Sequence, residues 1–277
     1  PGGTLSATRH IFVGLESMDT VADAIWQTRG IPTGTLEGEI IERGTGTPVP
    51  GAELQVSERL RGRPRPLLRV LTNAQGDYRT PVPADMDIIG FPRSYSRTRP
   101  TQTIPRVRPG VGEVAYQQYE LNPPALLDVR VVDAETQMLL PVRIALFDQD
   151  GQPTDLGPLE SGQAGGPYIF VAEGQGVFEV PPGRYRMTIS HGLEYRRWEQ
   201  DVFFASGVRR QFHLELRHYI DTPGYIAADF GVLTDATHSA LVTPLDRVRT
   251  AVCEGLEFIV PTDTGRVTDL AGAMREA

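Results

Sequence analysis

Residues 38–56 read GEIIERGTGTPVPGAELQV. Ile40 and Ile41 form an apolar pair, and residues 44–48 (GTGTP) supply a turn. Ala52, Leu54 and Val56 then alternate with Glu53, Gln55 and Ser57. A period of two is the strand period, because successive side chains of an extended chain point to opposite faces. The stretch is therefore strand, turn, strand. Further on, Leu67, Leu68, Val70 and Leu71 form an apolar run expected to be buried. Residues 73–77 (NAQGD) make a turn before Tyr78, and 114–121 closes the segment. Residues 33–122 read as one antiparallel β-sandwich.

Residues 123–219 repeat this grammar. Leu127, Val129 and Val131 share a face, and Pro182-Gly183 turns the chain into Tyr185, Met187 and Ile189, which alternate with Arg184, Arg186 and Thr188. Phe212, Leu214 and Leu216 alternate with Gln211, His213, Glu215 and Arg217, a half-buried strand with His213 on its polar face. Glu42, Thr45 and Pro50 have counterparts 91 residues later in Asp133, Thr136 and Pro141. Residues 75–78 (QGDY) are mirrored by 175–178 (QGVF), an offset of 100 that places an insertion within 149–170. Two copies make a tandem of sandwiches.

The flanks differ. In residues 1–32, His10 to Val13 is a candidate strand, and 19–27 a short helix with Asp19 as N-cap, Val21, Ala22, Ile25 and Trp26 on one face, and Gly30 as its end. This flank belongs either to the first sandwich or to an upstream domain. In residues 220–277, 226–232 reads as a strand. Thr243 caps a helix with Pro244 in its first turn and a stripe of Leu245, Val248 and Val252. Gly255 ends that helix, 256–260 is a strand stopped by Pro261, and 267–274 starts another helix. This β-α-β-α order signals a parallel sheet. The fold class is mainly β: two tandem antiparallel β-sandwiches followed by a short α/β remnant.

The chain has 277 residues, 27 basic against 35 acidic, and a net charge of −8. A generic nucleic-acid binder is excluded on charge. Every basic residue is arginine, the mark of a GC-rich coding bias. No apolar run approaches the roughly 18 residues of a membrane helix. Cys253 is the sole cysteine, which excludes an internal disulfide and a multi-thiolate zinc site. The chain opens on Pro1 without a charged-then-apolar leader, as expected of a processed or trimmed start.

The string 38–56, followed by TNAQGDYRT at 72–80, resembles a carboxypeptidase regulatory-like domain. The resemblance implies a seven- or eight-stranded transthyretin-like sandwich, and a structural, adhesive or substrate-presenting role outside the cytoplasm. The second segment resembles a more divergent version. Residues 224–265 (GYIAADFGVLTDATHSALVTPLDRVRTAVCEGLEFIVPTDTG) resemble the opening of a PHP-type metal-dependent hydrolase. In that family the first strand ends in Asp-x-His-x-His and the second in Thr-Asp-His, and those histidines bind catalytic metals. Here Asp229 is present, but the histidine positions hold Gly231 and Leu233. Thr262 and Asp263 are present, but Thr264 follows. Glycine and leucine cannot ligate, and a threonine hydroxyl is a poor substitute for imidazole. His238 lies nearby and reads as a solvated loop histidine. A closed barrel of this kind needs on the order of 250 residues, so 221–277 is a fragment that either continues elsewhere, docks on a sandwich, or is covered by a partner.

There is no nucleophile elbow, P-loop or zinc-protease motif. Arg59, Arg61, Arg63, Arg65 and Arg69 form the densest charge run, and a second holds Arg93, Arg97, Arg99, Arg106 and Arg108. If that stretch is extended, Arg61, Arg63 and Arg65 share one face, a candidate contact for an anion or an acidic partner surface. Residues 81–112, rich in Pro and Arg, read as an extended loop reaching a partner.

The expectation is a non-catalytic structural or binding protein of the cell envelope or exterior, extracellular or periplasmic. It has no catalytic residue, metal or cofactor, and its partner is a protein or a second copy. A PHP-like hydrolase whose remaining ligands lie outside this chain is the alternative. A polysaccharide-binding module is a further one, with Trp26 and Trp198 as its only tryptophan platforms.

Overall fold

A computed structural model describes residues 7–14, 19–61, 63–101, 104–157 and 164–277. The molecule is mainly β, and its chain divides into two units, Pro1–Pro123 and Pro124–Ala277.

The first unit carries α1 (Asp19–Thr28) and eight strands: β1 (Thr33–Glu42), β2 (Glu53–Glu58), β3 (Arg65–Leu71), β4 (Asp77–Pro83), β5 (Ile88–Arg93), β6 (Arg106–Val107), β7 (Val114–Tyr116) and β8 (Tyr119–Leu121). One sheet has β4 on one side of β1 and β7 and β8 on the other; the second runs β3-β2-β5-β6. Every second residue of β1 is buried, which puts Leu36 and Ile40 in the core with Leu54, Val56, Leu68, Val70, Val82 and Leu121. The expected helix forms, and its Ala22 and Trp26 are buried in this same core, so α1 packs with the first sandwich. His10 to Val13 is not a strand: Ile11 and Val13 have no strand partner and lie exposed. The apolar run in β3 alternates, with Leu68 and Val70 inside and Leu71 outside, because an edge strand buries only one face. Residues 81–112 are not one extended loop, since β5 and β6 lie within them and β5 pairs with β2 over six residues.

The second unit opens with β9 (Ala125–Asp133), β10 (Val142–Phe147), β11 (Ala164–Gly165), β12 (Tyr168–Val171), β13 (Gln175–Val180), β14 (Gly183–Ser190), β15 (Trp198–Phe204) and β16 (Arg209–Leu216). Its sheets run β13-β9-β16 and β11-β12-β10-β14-β15, the plan of the first sandwich with a longer outer sheet. In both sandwiches the closing strand runs parallel to the opening one, β7 and β8 along β1 and β16 along β9, while the remaining pairs within the sandwiches are antiparallel. The chain visits the other sheet in between, and that crossover lets the last strand return in the direction of the first.

Register exposes the repeat. Ile41 bridges Pro48 and Val132 bridges Leu139, both members 91 residues apart. Gly46 and its counterpart Gln137 donate their N–H to the carbonyls of Glu42 and Asp133, at 3.0 and 2.9 Å. Across the sheet, Gly38 faces Tyr78 where Val129 faces Gly176, so the second turn is offset by 98 residues, not 100. The turn glycines with positive φ are Gly76 (+79°) and Gly174 (+70°), which confirms that offset.

After the second sandwich come β17 (Ala228–Val232), α2 (Pro244–Cys253), β18 (Phe258–Pro261) and α3 (Ala271–Glu276), with β17 and β18 parallel. The Thr243 hydroxyl accepts from the Asp246 N–H at 3.1 Å, the expected cap. The buried stripe of α2 is Asp246, Val248, Ala251 and Cys253, while Val252 is exposed. The shift follows from the helix lying against β10, β12 and α3. Cys253 is fully buried there, its thiol pushed up to about 12 mainly by burial. The last helix begins at Ala271 because Asp263 to Leu270 form a loop.

Candidate functional site

The loop after β18 places Asp263 beside the end of β17, where Thr262 N–H donates to the Val232 carbonyl at 2.8 Å. Asp263 is buried. Its carboxylate accepts from Thr234 N–H (2.7 Å), Thr234 Oγ1 (2.7 Å), Thr237 Oγ1 (2.7 Å) and Thr268 Oγ1 (2.5 Å). The hydroxyls of Thr268 and Thr237 hold this carboxyl far below the usual carboxylate range, against the opposing effect of desolvation. Hydrogen bonds to the charged form favour that form. Four donors aimed at two oxygens leave the carboxylate satisfied within the fold, and a cation could bind only by turning those hydroxyls away.

The other PHP-like positions do not join it. Asp229 pairs with Ile259, lies exposed, and accepts the Gly231 N–H at 2.9 Å. The Leu233 carbonyl takes two hydrogen bonds from the Arg247 guanidinium, at 3.0 and 2.7 Å. Thr264 is exposed and donates its N–H to Thr237 Oγ1 at 3.0 Å. His238 is exposed. Among the described residues no group of three or more His, Cys, Asp or Glu side chains converges as a metal site would require. Sequence reasoning found Asp263 but missed Thr234, Thr237 and Thr268, which satisfy it. Their only prior signal is three threonines around one aspartate.

The arginine candidates separate as well. Arg61 and Arg63 are exposed in the β2–β3 loop, whereas Arg65 opens β3 and pairs with Glu58. Arg61 and Arg63 lie at bends outside any strand, and of the three only Arg65 belongs to a strand. Arg69 pairs with Glu53. In the second run Arg97 is half-buried against Glu42, Arg106 and Arg108 face Asp87, and Arg99 lies over the Phe91 ring at 5.3 Å. Neither tryptophan forms an open platform: Trp26 is buried, and Trp198 packs on the second core with its ring against Phe212. The outer face of β14 and β15 carries an open groove of about 910 Å³. Within it Arg186 is paired with Asp201 and Glu199, Arg197 with Glu199, and Arg184 lies over Phe203.

Fold and site define a mainly β protein of two like sandwiches with a docked α/β arm. No family model matches this chain, and no curated protein does. Among solved structures it is similar to the TIE protein of Bacillus anthracis, with a TM-score of 0.30 and 14% identity over 67% of this chain and 34% of that one. This chain thus spans about a third of that relative. It is also similar to GBS52, the minor pilin of Streptococcus agalactiae, with a TM-score of 0.39 and 15% identity over 69% of this chain and 98% of that one. For the shaft pilin SpaA from Lactobacillus rhamnosus GG the TM-score is 0.37, with 12% identity over 70% and 100%. At these scores the function has to be argued from the chain's own geometry.

Proposed function

We propose that the protein is a non-catalytic structural or binding protein of the cell envelope or exterior, acting through its sandwich surfaces by self-association or by attachment to another macromolecule. The observation that carries this is Asp263. The one carboxylate buried at the PHP-like position is consumed by threonine donors, while Asp229 is turned outward to its own loop. The strand–turn–strand of residues 38–56 and the eight strands of the first unit suit a carboxypeptidase regulatory-like, transthyretin-like module, with a second copy following. These 277 residues hold no lysine, so none of them supplies a side-chain amine for an amide cross-link. Among the described residues no helix is long and apolar enough to cross a membrane.

Purified protein is to be assayed for bound divalent metal and for hydrolysis of nitrophenyl phosphomonoesters, phosphodiesters and acetate. The expected result is substoichiometric metal and no turnover above the blank. A stoichiometric ion, with turnover abolished in Asp263→Asn, overturns the proposal. Sedimentation over a range of concentrations then separates self-association from attachment to a different partner.

A second reading is a PHP-like hydrolase completed from outside these residues. It is favoured by one feature: Asp263 follows the carboxyl end of a parallel strand, where open α/β sheets seat their ligands. A native mass well above 30.4 kDa, together with turnover, supports that reading.

A further inference from the structure

The connection between β14 and β15, residues 191–197, touches three other parts of the second unit. The first is the turn before β10: His191 Nδ1 donates to the Pro141 carbonyl at 2.6 Å. The second is the linker that leaves β16. Tyr219 N–H donates to the Glu194 carbonyl at 2.8 Å, and Arg196 N–H to the Arg217 carbonyl at 3.0 Å. The Glu194 carboxylate takes His218 Nε2 at 3.2 Å and the Thr222 hydroxyl. The third is the end of α2. Gly192 lies so close to Glu254 that a Cβ there would sit 2.3 Å from the Glu254 carbonyl oxygen, and a Cβ on Gly255 would sit 3.4 Å from His191 Nε2. Arg143 on β10 pairs with Glu254 at 2.5 Å.

We propose that His191 is an acid-released latch: neutral, it clamps the C-terminal end of α2 to the second sandwich, and protonated, it releases that end. With Nδ1–H given to Pro141, a second proton must go on Nε2, which lies beside Gly255, 3.4 Å from where a Cβ on that residue would sit. The ring is also packed edge-on against Tyr195, centroids 4.9 Å apart, so the added charge is poorly solvated. The charged groups facing it are Asp133 at the β9 end, Glu194 on its own loop and His218 on the linker, with Glu254 of α2 already engaged by Arg143. Burial is the largest effect and draws the His191 imidazole below its ordinary value; the hydrogen bond to Pro141 and the two carboxylates favour the cation, and His218 opposes it.

A free imidazole titrates near about 6.5. The docked state therefore binds fewer protons than the released one below that pH. Docking is fully present above about pH 6.5, weakens as pH falls toward the docked midpoint, and levels off below it. One proton limits the slope to about tenfold per pH unit.

Hydrogen exchange by mass spectrometry on the full chain, from about pH 7.5 to about 5 and corrected for intrinsic rates, tests this. Expected is a protection loss in the 247–255 peptide approaching that slope, with the β9 and β13 peptides unchanged. His191→Asn keeps an N–H donor but cannot protonate, and should flatten the α2 profile, while His218→Gln should keep it. Flat protection in the wild type, an acid step that survives His191→Asn, or one that vanishes in His218→Gln overturns the latch. If His191→Asn undocks α2 at every pH, the NMR titration of the His191 ring in the wild type decides. A midpoint below the free value supports the latch, and one at or above it overturns it.

Discussion

Each sandwich places a carboxylate at the end of its opening strand, and the two are satisfied differently. In the first, Glu42 reaches to Arg97, whose Nε and Nη2 donate to Oε1 at 2.9 and 2.6 Å, with both side chains largely buried. In the second, Asp133 curls back on its own turn, accepting from Glu135 N–H (2.8 Å), Thr136 N–H (2.7 Å) and Thr136 Oγ1 (3.1 Å), and takes only one distant donor, Tyr195 Oη at 2.7 Å. One methylene decides this. Aspartate is short enough to take the main-chain N–H groups two and three positions on, whereas the longer Glu42 takes only the Thr45 hydroxyl from its own turn, at 3.2 Å, and gives its other oxygen to Arg97. The same turn is therefore held mostly by its own main chain in one copy and mostly by a remote arginine in the other.

That difference is open to measurement, with strand-resolved hydrogen exchange under denaturant reporting on each unit. Glu42→Ala removes the carboxylate partner of the Arg97 guanidinium and should cost the first unit about 1.5–3 kcal/mol in β1 and β8. A cost no larger than that of Tyr195→Phe would erase the contrast. Gly76→Ala and Gly174→Ala come next. Both glycines have positive φ, and a Cβ would lie 2.9 Å from the Ile40 carbonyl oxygen in one and 2.7 Å from the Leu140 nitrogen in the other. Each should cost about 1–3 kcal/mol in its own unit; a large cost at one site only would break the 98-residue equivalence seen in the strand pairing. Tyr195→Phe removes one of four donors to Asp133 and should cost about 1 kcal/mol.

The smallest effect is a pH dependence. The N–H of Thr136, the Tyr195 hydroxyl and their neighbours lower the Asp133 carboxyl to about 2. A depressed carboxyl contributes stability above its unfolded value of about 3.9, and loses it as pH falls through the folded value. Protection of β9 should decline between about pH 4 and 2, and Asp133→Asn should remove that part of the decline.

The strands were readable because burial on one face imposes a period of two, as in β1 and β16. The first turn of each repeat was readable because its carboxylate, threonine and proline sit at fixed spacings. The second turn was misplaced by two residues. Residues 175–178 resemble 75–78 letter for letter in two positions, but pairing sets Gly176, not Phe178, opposite Val129. In the candidate site Asp263 stood out by its motif, while Thr234, Thr237 and Thr268 are ordinary residues until the chain folds them around it. The same holds for His191, which carries no motif and gains its role from Pro141, 50 residues earlier, and from Gly255.

Local chemistry, written in the order of residues, determined the β strands and the capped helix at Thr243. Tertiary structure alone decided that the closing strands run parallel, that α2 rests on the second sandwich, and that Arg65, Arg97 and Asp263 are spent on internal partners. Periodicity and capping act over a few residues and leave a trace in sequence. Which donor reaches which acceptor is set by where distant segments arrive, and spacing along the chain does not record that.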